Sequence, residues 1–431
     1  MLVSPTQTAR LRKAVADFVE WLDGFGEVSQ DHQDFYAGRL GRAAKGLYYK
    51  RPTLGKAAVL PMVACEAFFP SARRFFFSPM RLPIADAHYA MGFALLTRVE
   101  GEPKHLERAK QFLEVLKRTR CPGFQYSGWG YPFDWQTRNG IIPAGTPLIT
   151  TVPYCYEAFD YVNQVEPRPE WVQMMESTAK HAFHDYKDTA RGEHGASCGY
   201  TPTGGAGVVN ASAYRAFLLA AAWRAFGVEA YREASERNIE FVLGTQHEDG
   251  SWPYAVDGTR DFVDHFHTCF VLKGLAKADA LLQRERCNSA IEKGVEFYLG
   301  NLFDGEGVPK PFSKAPRLTV YKAELYDCAE CLNICILLGE KIPRLRDTFS
   351  RLVDDLLTRW RKPDGSFRSR RLYLGWDNVP MHRWGQSEIF RSFCLALAHA
   401  SGINPLLGGC TNQVSTAKPV AAATPAPLAS L

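Results

Sequence analysis

The sequence predicts an all-α protein closed into an (α/α)6 barrel, a toroid of six helical hairpins. Two patterns predict it. Six amphipathic segments alternate strictly with six that are apolar nearly all round, as a wet outer series and a buried inner series should. A loop of fixed form, Gln246-His247-Glu248-Asp249-Gly250-Ser251-Trp252, ends one hairpin and opens the next, and a weaker copy stands at Arg361-Lys362-Pro363-Asp364-Gly365-Ser366-Phe367.

The outer series begins with Leu11, Val15, Phe18 and Leu22 at helical spacing, followed by Leu106, Ala109, Leu113 and Leu116. Trp171, Met175, Ala179 and Ala182 mark the third outer helix, and Ala230, Ala234 and Phe241 the fourth. Ile291, Val295, Tyr298 and Leu299, then Leu345, Phe349, Leu352, Val353 and Leu356, complete it. These recur at intervals of roughly 50 to 90 residues, the mark of a helical repeat array. Inner helices are predicted to begin near Ala85, Val152, Val209, Asp264, Tyr326 and Gly385. The segment from Phe266 to Ala278 is representative: Cys269, Phe270, Leu272, Gly274 and Leu275 cover most of its circumference.

The expected organisation is one toroid over residues 1–404. An elaboration at 23–85 is too long for a hairpin loop, and an extra helix is predicted around Leu54 to Phe68. The Thr, Ala, Pro and Ser composition of 405–431 predicts a disordered tail.

Net charge is +5 from 51 basic and 46 acidic residues, with no dense Lys/Arg block, so nucleic acid is not an expected partner. No apolar run is long enough to cross a bilayer, and residues 1–13 lack the apolar stretch of an export signal. The 11 cysteines are then read as reduced thiols of a cytoplasmic protein. Cys328, Cys331 and Cys335 share one helical face, which is the spacing of a core stripe.

Gln246-x-x-x-Gly250-x-Trp252 resembles the QW repeat of the squalene-cyclase and protein-prenyltransferase superfamily. The resemblance implies that the Gln holds the loop, the Gly permits the turn and the Trp packs on the next hairpin. From about residue 80 to 402 the pattern is similar to α/α-toroid proteins of bacterial surface-polysaccharide biosynthesis. The parent activities are not supported by motifs. There is no Asp-x-Asp-Asp acid, Asp354-Asp355 falls on an outer helix, and Asp327-Cys328 has the wrong spacing for a prenyltransferase zinc pair.

Polar groups recur where the six inner helices start: Asp86 and His88; Tyr154 and Glu157; Asn210, Ser212 and Tyr214; Asp264, His265 and His267; Tyr326, Asp327 and Glu330; Arg383, Gln386 and Glu388. Capping explains any one of these sets; six that converge on one axis point to a site. Asp264, His265 and His267, with Asp134 and Asp327, are the predicted catalytic groups, since carboxylates beside imidazoles offer proton transfer near neutral pH. Trp129, Tyr131, Trp135, Tyr200, Tyr254, Tyr321 and Trp384 supply aromatic faces for sugar rings, and Glu193, His194, Asp249, Arg383 and Gln386 the polar edges. No cofactor is implied. His265 and His267 are two apart on a helix and point differently, which disfavours a shared zinc ion.

The function expected from these residues is carbohydrate chemistry on an oligosaccharide or polysaccharide, by a hydrolase, lyase or sugar epimerase. A non-catalytic glycan-binding or assembly protein, or an isoprenoid binder, are the alternatives. Association with polysaccharide-assembly machinery is a further expectation of the resemblance.

Overall fold

The computed structural model describes residues 2–283, 285–314, 316 and 319–403; the predicted tail at 405–431 lies outside them. The helices begin with α1 (Pro5–Phe25), α2 (Asp34–Ala37), α3 (Arg39–Lys50), α4 (Pro52–Phe68) and α5 (Pro83–Glu100). Next come α6 (Pro103–Arg118), α7 (Val152–Val165), α8 (Pro169–His184), α9 (Val209–Phe226) and α10 (Glu229–Gly244). The last five are α11 (His265–Leu282), α12 (Asn288–Asn301), α13 (Leu325–Leu338), α14 (Arg344–Asp355) and α15 (Ser387–Ala400).

The inner series α5, α7, α9, α11, α13 and α15 closes on itself: each packs on the next, and α15 packs back on α5. Lack of a polar face forces this arrangement. Every residue of α13 is buried, and each fully buried aliphatic side chain contributes roughly 1.5–3 kcal/mol. At the closing seam α5 carries Gly92, where a Cβ would sit 2.5 Å from the Phe390 ring of α15. Helices α6, α8, α10, α12 and α14 lie outside their inner partners, and the N-terminal α1 covers α15. Gln7 of α1 donates 2.9 Å to Ser350 Oγ of α14, tying the first helix to the last outer one.

The loop signature works as the resemblance implies. Gln246 Nε2 donates to the carbonyls of Gly250 (3.0 Å) and Ala290 (2.8 Å). Trp252 donates to Val242 O at 2.9 Å and wedges against Gly294 of α12. Gly250 has φ +90, and a Cβ there would meet Lys293 O at 2.4 Å. Gly250→Ala is therefore expected to cost about 2–4 kcal/mol in denaturant unfolding; a loss under about 0.5 kcal/mol would contradict this role. The same backbone bonds recur at Lys362–Ser366 and, unforeseen, at Asp304–Val308.

Two features differ from the expectation. The loops carry short antiparallel ribbons: β1 (Trp135–Thr137) with β2 (Gly140–Ile142), β3 (Asp188–Arg191) with β4 (Gly195–Cys198), and a sheet ordered β5 (Tyr321–Glu324), β6 (Arg370–Leu372), β7 (Gly375–Asp377). Strands of three or four residues are too short to show a period-2 pattern. The elaboration holds more than one helix: α4 falls where predicted, but α2, α3 and a 3₁₀ turn at Pro70–Phe75 were not foreseen. Helix α3 buries only Gly41, so no apolar stripe announces it.

Candidate functional site

The loops that enter the inner helices all meet at one mouth, and α11 brings the decisive pair there. Asp264 is its N-cap, accepting from the His267 backbone N–H at 3.2 Å. The same carboxylate lies 2.7 and 2.8 Å from His267 Nδ1. An acceptor on Nδ1 places the ring proton there and leaves Nε2 as the basic atom. Asp264 is buried while the His267 side chain keeps 20% of its surface open. Tyr254 stands edge-on to the imidazole at 4.5 Å.

Aromatic rings surround this dyad. Trp384, held at φ +57, stacks on Tyr326 at 5.6 Å and under the Arg383 guanidinium at 3.7 Å. Arg383 also lies 4.3 Å from the Tyr131 ring, which meets Trp135 at 5.6 Å; Trp135 in turn meets Tyr200 at 6.1 Å. Burial pushes the Tyr254 phenol up to about 12, with Asp264 and Tyr131 among its neighbours. Of the predicted residues, the mouth thus gathers Asp264, His267, Tyr131, Trp135, Tyr200, Tyr254 and Trp384.

Below it the barrel axis is polar and charged. Lys273 donates to Tyr154 Oη at 2.9 Å and to both oxygens of Glu330 at 2.9 and 2.7 Å. Tyr154 and Tyr214 share a 2.6 Å hydrogen bond, Arg391 donates to Glu388 at 2.9 Å, and Lys277 pairs with Glu157. His88 Nε2 sits 2.7 Å from Glu388 Oε2. Burial, with Arg391 and Lys273 nearby, holds His88 well below the usual imidazole range and therefore neutral. All six inner helices contribute. Ring contacts lead from His267 to Phe270 (5.7 Å) and Phe270 to Tyr214 (5.1 Å), joining dyad and network.

Lys273, Lys277 and Arg391 were not singled out from the sequence. The available signal was two lysines four residues apart on a helix without a polar face. Such residues are retained where they have buried partners.

The remaining predicted residues make other contacts. His265 is fully buried away from the mouth, accepting from Tyr298 Oη at 2.7 Å with Nδ1 3.1 Å from Leu302 O. Asp134 pairs with Arg42 at 3.3 Å and accepts from Ala144 N, bracing a loop. Asp327 is fully buried on the first turn of α13, its oxygens without a hydrogen-bond partner; burial, then Glu324 and Asp264, raise its pKa well above the usual carboxylate value. Trp129 is a wedge like Trp252, donating to Leu116 O at 2.9 Å. Glu193 and His194 are at the exposed tip of the β3–β4 ribbon. Asp249 closes its own turn by accepting from Ser251 N and Oγ at 2.9 and 2.7 Å. Tyr321 lies beneath the Arg370 guanidinium at 4.2 Å. Arg383 is buried on Asp31, and Gln386 spends both ends of its amide on the Phe367 backbone at 3.0 and 2.8 Å.

Asp86 is likewise structural, accepting from Arg81 Nε at 2.8 Å. Burial pushes its pKa up to about 7, against the pull of Arg81. Because folding raises this pKa, its stabilising contribution is complete below about pH 4 and is lost as pH rises through about 7. Asp86→Asn is expected to flatten that stretch by a few kcal/mol relative to wild type. Parallel slopes in urea unfolding from about pH 4 to 8 would refute it.

A closed ring of six inner helices, each backed by an outer one, decides the architecture. The chain is an (α/α)6 toroid. It is similar to a cellobiose 2-epimerase from Bacillus thermoamylovorans, with 11% identity, 74% of this chain and 88% of that chain covered, and a TM-score of 0.58. A GH76 alpha-mannanase from Bacteroides thetaiotaomicron gives 8%, 76%, 89% and 0.55. A polysaccharide lyase gives 12%, 73%, 89% and 0.51. At these identities the likeness is one of fold. No family model and no curated protein sequence matches.

Proposed function

We propose that this toroid is a carbohydrate-active enzyme that moves a proton on a saccharide, with His267 as the acid–base group and Asp264 orienting it. The observation that carries the reading is the Asp264–His267 dyad, part-open within a ring of tyrosine and tryptophan faces. Two-carboxylate hydrolysis is less well supported. The axis glutamates are paired, Glu324 with Arg370, Glu330 with Lys273, Glu388 with Arg391 and Glu157 with Lys277; of the two aspartates nearest the mouth, Asp264 is held on His267 and Asp327 is fully buried, whereas that mechanism needs two carboxyl groups facing the substrate. A single oriented imidazole suits proton abstraction from carbon, as in epimerisation beside a carbonyl or β-elimination from a uronate. The similar toroids include enzymes named for epimerase and lyase chemistry beside a mannanase, so the choice rests on the site. The charged axis argues against an isoprenoid binder, which needs an apolar cavity.

Polysaccharide assembly in the cytoplasm is the finer reading. The nine buried free cysteines among the ten described fit a reducing compartment, and the matching ligand is an oligosaccharide or polysaccharide handed between assembly enzymes.

The test is a panel of reducing oligosaccharides and uronate-containing polymers incubated in D2O. Deuterium entering beside the carbonyl, or the ultraviolet absorbance of an unsaturated uronate, is the expected result. Saccharide binding with no exchange, elimination or new reducing ends would instead establish a glycan-binding protein.

A further inference from the structure

The α3–α4 hairpin has a composition and exposure that the fold does not require. From Arg39 to Cys65 it carries Arg39, Arg42, Lys45, Lys50, Arg51 and Lys56 and not one Asp or Glu. Within α4 only Gly55 and Met62 are buried, although its sequence is dominated by Ala, Val, Leu and Met. Leu40, Leu54, Leu60, Phe68, Phe69 and Phe75 are 57–85% exposed, and they are six of the thirteen exposed large hydrophobic residues among those described. No residue from 39 to 76 joins the hydrophobic core. Single exposed apolar residues are ordinary, but a concentration of this kind in one hairpin and the turn that follows it marks a contact surface.

The hairpin stands at the mouth. Arg42 reaches Asp134 beside β1, and Glu66 pairs with Arg370 of β6. The ribbons that brace it expose Ile141, Tyr373 and Leu374 in turn.

We infer that the α3–α4 hairpin docks the toroid onto an anionic lipid surface, with the mouth beside the membrane. Charge selects this occupant. Large apolar side chains among exposed cations are what an interfacial helix presents to acyl chains and acidic headgroups. A symmetric contact between two copies would set the same cationic surface against itself, since its one acid, Glu66, is spent on Arg370. Helix α4 has 17 residues and carries Lys56, and no described helix is long and apolar enough to cross a membrane, so the hairpin lies on the surface.

Co-sedimentation of the full chain with vesicles tests this independently of any sugar chemistry. Binding is expected to phosphatidylglycerol/phosphatidylcholine vesicles, to weaken with salt, and to be much lower on phosphatidylcholine alone. Leu60→Glu/Phe69→Glu and, separately, Lys50→Glu/Arg51→Glu/Lys56→Glu should each weaken binding roughly tenfold or more. Circular dichroism and melting should match wild type, because all five positions are exposed. Equal binding to both vesicle types would overturn the inference. So would undiminished binding by the folded charge-reversal variant, or a wild-type dimer in light scattering that Leu60→Glu/Phe69→Glu converts to monomer.

Discussion

His267→Ala is expected to lower turnover by about 10²–10⁴-fold while leaving saccharide affinity and fold nearly unchanged. The imidazole is part-open and makes no backbone hydrogen bond through its ring, so its removal leaves no buried partner stranded except Asp264, which keeps its cap bond to the residue 267 backbone N–H. Asp264→Asn should keep that bond through its amide oxygen yet stop fixing the proton on Nδ1. Turnover then falls with KM little changed. Asp264→Ala adds the loss of a helix cap, about 1 kcal/mol. The control is His265→Ala, two residues away. It removes a buried bridge between Tyr298 and Leu302, so stability falls and the kcat of the folded fraction holds. If His265→Ala lost turnover at unchanged stability while His267→Ala stayed active, the assignment would be reversed.

That contrast shows what a sequence of this kind conveys. The alternation of one-sided and all-round apolar helices is a direct statement about burial, and it located all six inner helices. The Gln246 to Trp252 turn was legible because each residue does a local job within seven positions. The site was legible only in part. His265 and His267 are chemically identical in the sequence, and which one faces the mouth depends on where α12 packs. Trp129 and Trp384 read alike as aromatic loop residues, yet one wedges hairpins and the other lines the opening. Arg383 and Gln386 look like ligand-binding groups because their partners, Asp31 and Phe367, are 352 and 19 residues away. Long-range pairing of this sort leaves no local period to read. The α3–α4 hairpin escaped in part for the opposite reason: its apolar surface covers nothing, so it follows no core-facing pattern.

Lys273→Met is expected to destabilise the fold by up to about 3–5 kcal/mol, because it removes the nearest partner of Glu330 at the barrel axis and leaves it Arg391 at 3.7 Å and Asn333 at 3.5 Å. Lys273 donates to both oxygens of that carboxylate and to Tyr154, and Glu330 is fully buried. Burial already pushes Glu330 up to about 7 with Lys273 pulling it down, so removing the lysine moves it further up. A carboxyl whose folded pKa lies above its free value contributes stability below about pH 4.5, lost as pH rises through the folded value. The deficit of Lys273→Met should therefore be modest near pH 5, where Glu330 stays protonated, and widen towards pH 8. Lys273→Met/Glu330→Gln removes the under-compensated charge and should recover much of the loss at the higher pH. Guanidinium unfolding of the single and double variants at both pH values measures this. A deficit independent of pH and unrelieved by Glu330→Gln would mean that Lys273 acts through packing on Phe270 and Tyr154, whose rings it overlies at 5.3 and 5.1 Å, rather than through charge. Tyr154 and Tyr214 connect this network to Phe270 and the His267 ring. Turnover of the folded Lys273→Met enzyme near pH 8 then reports whether the axis also holds the mouth in register.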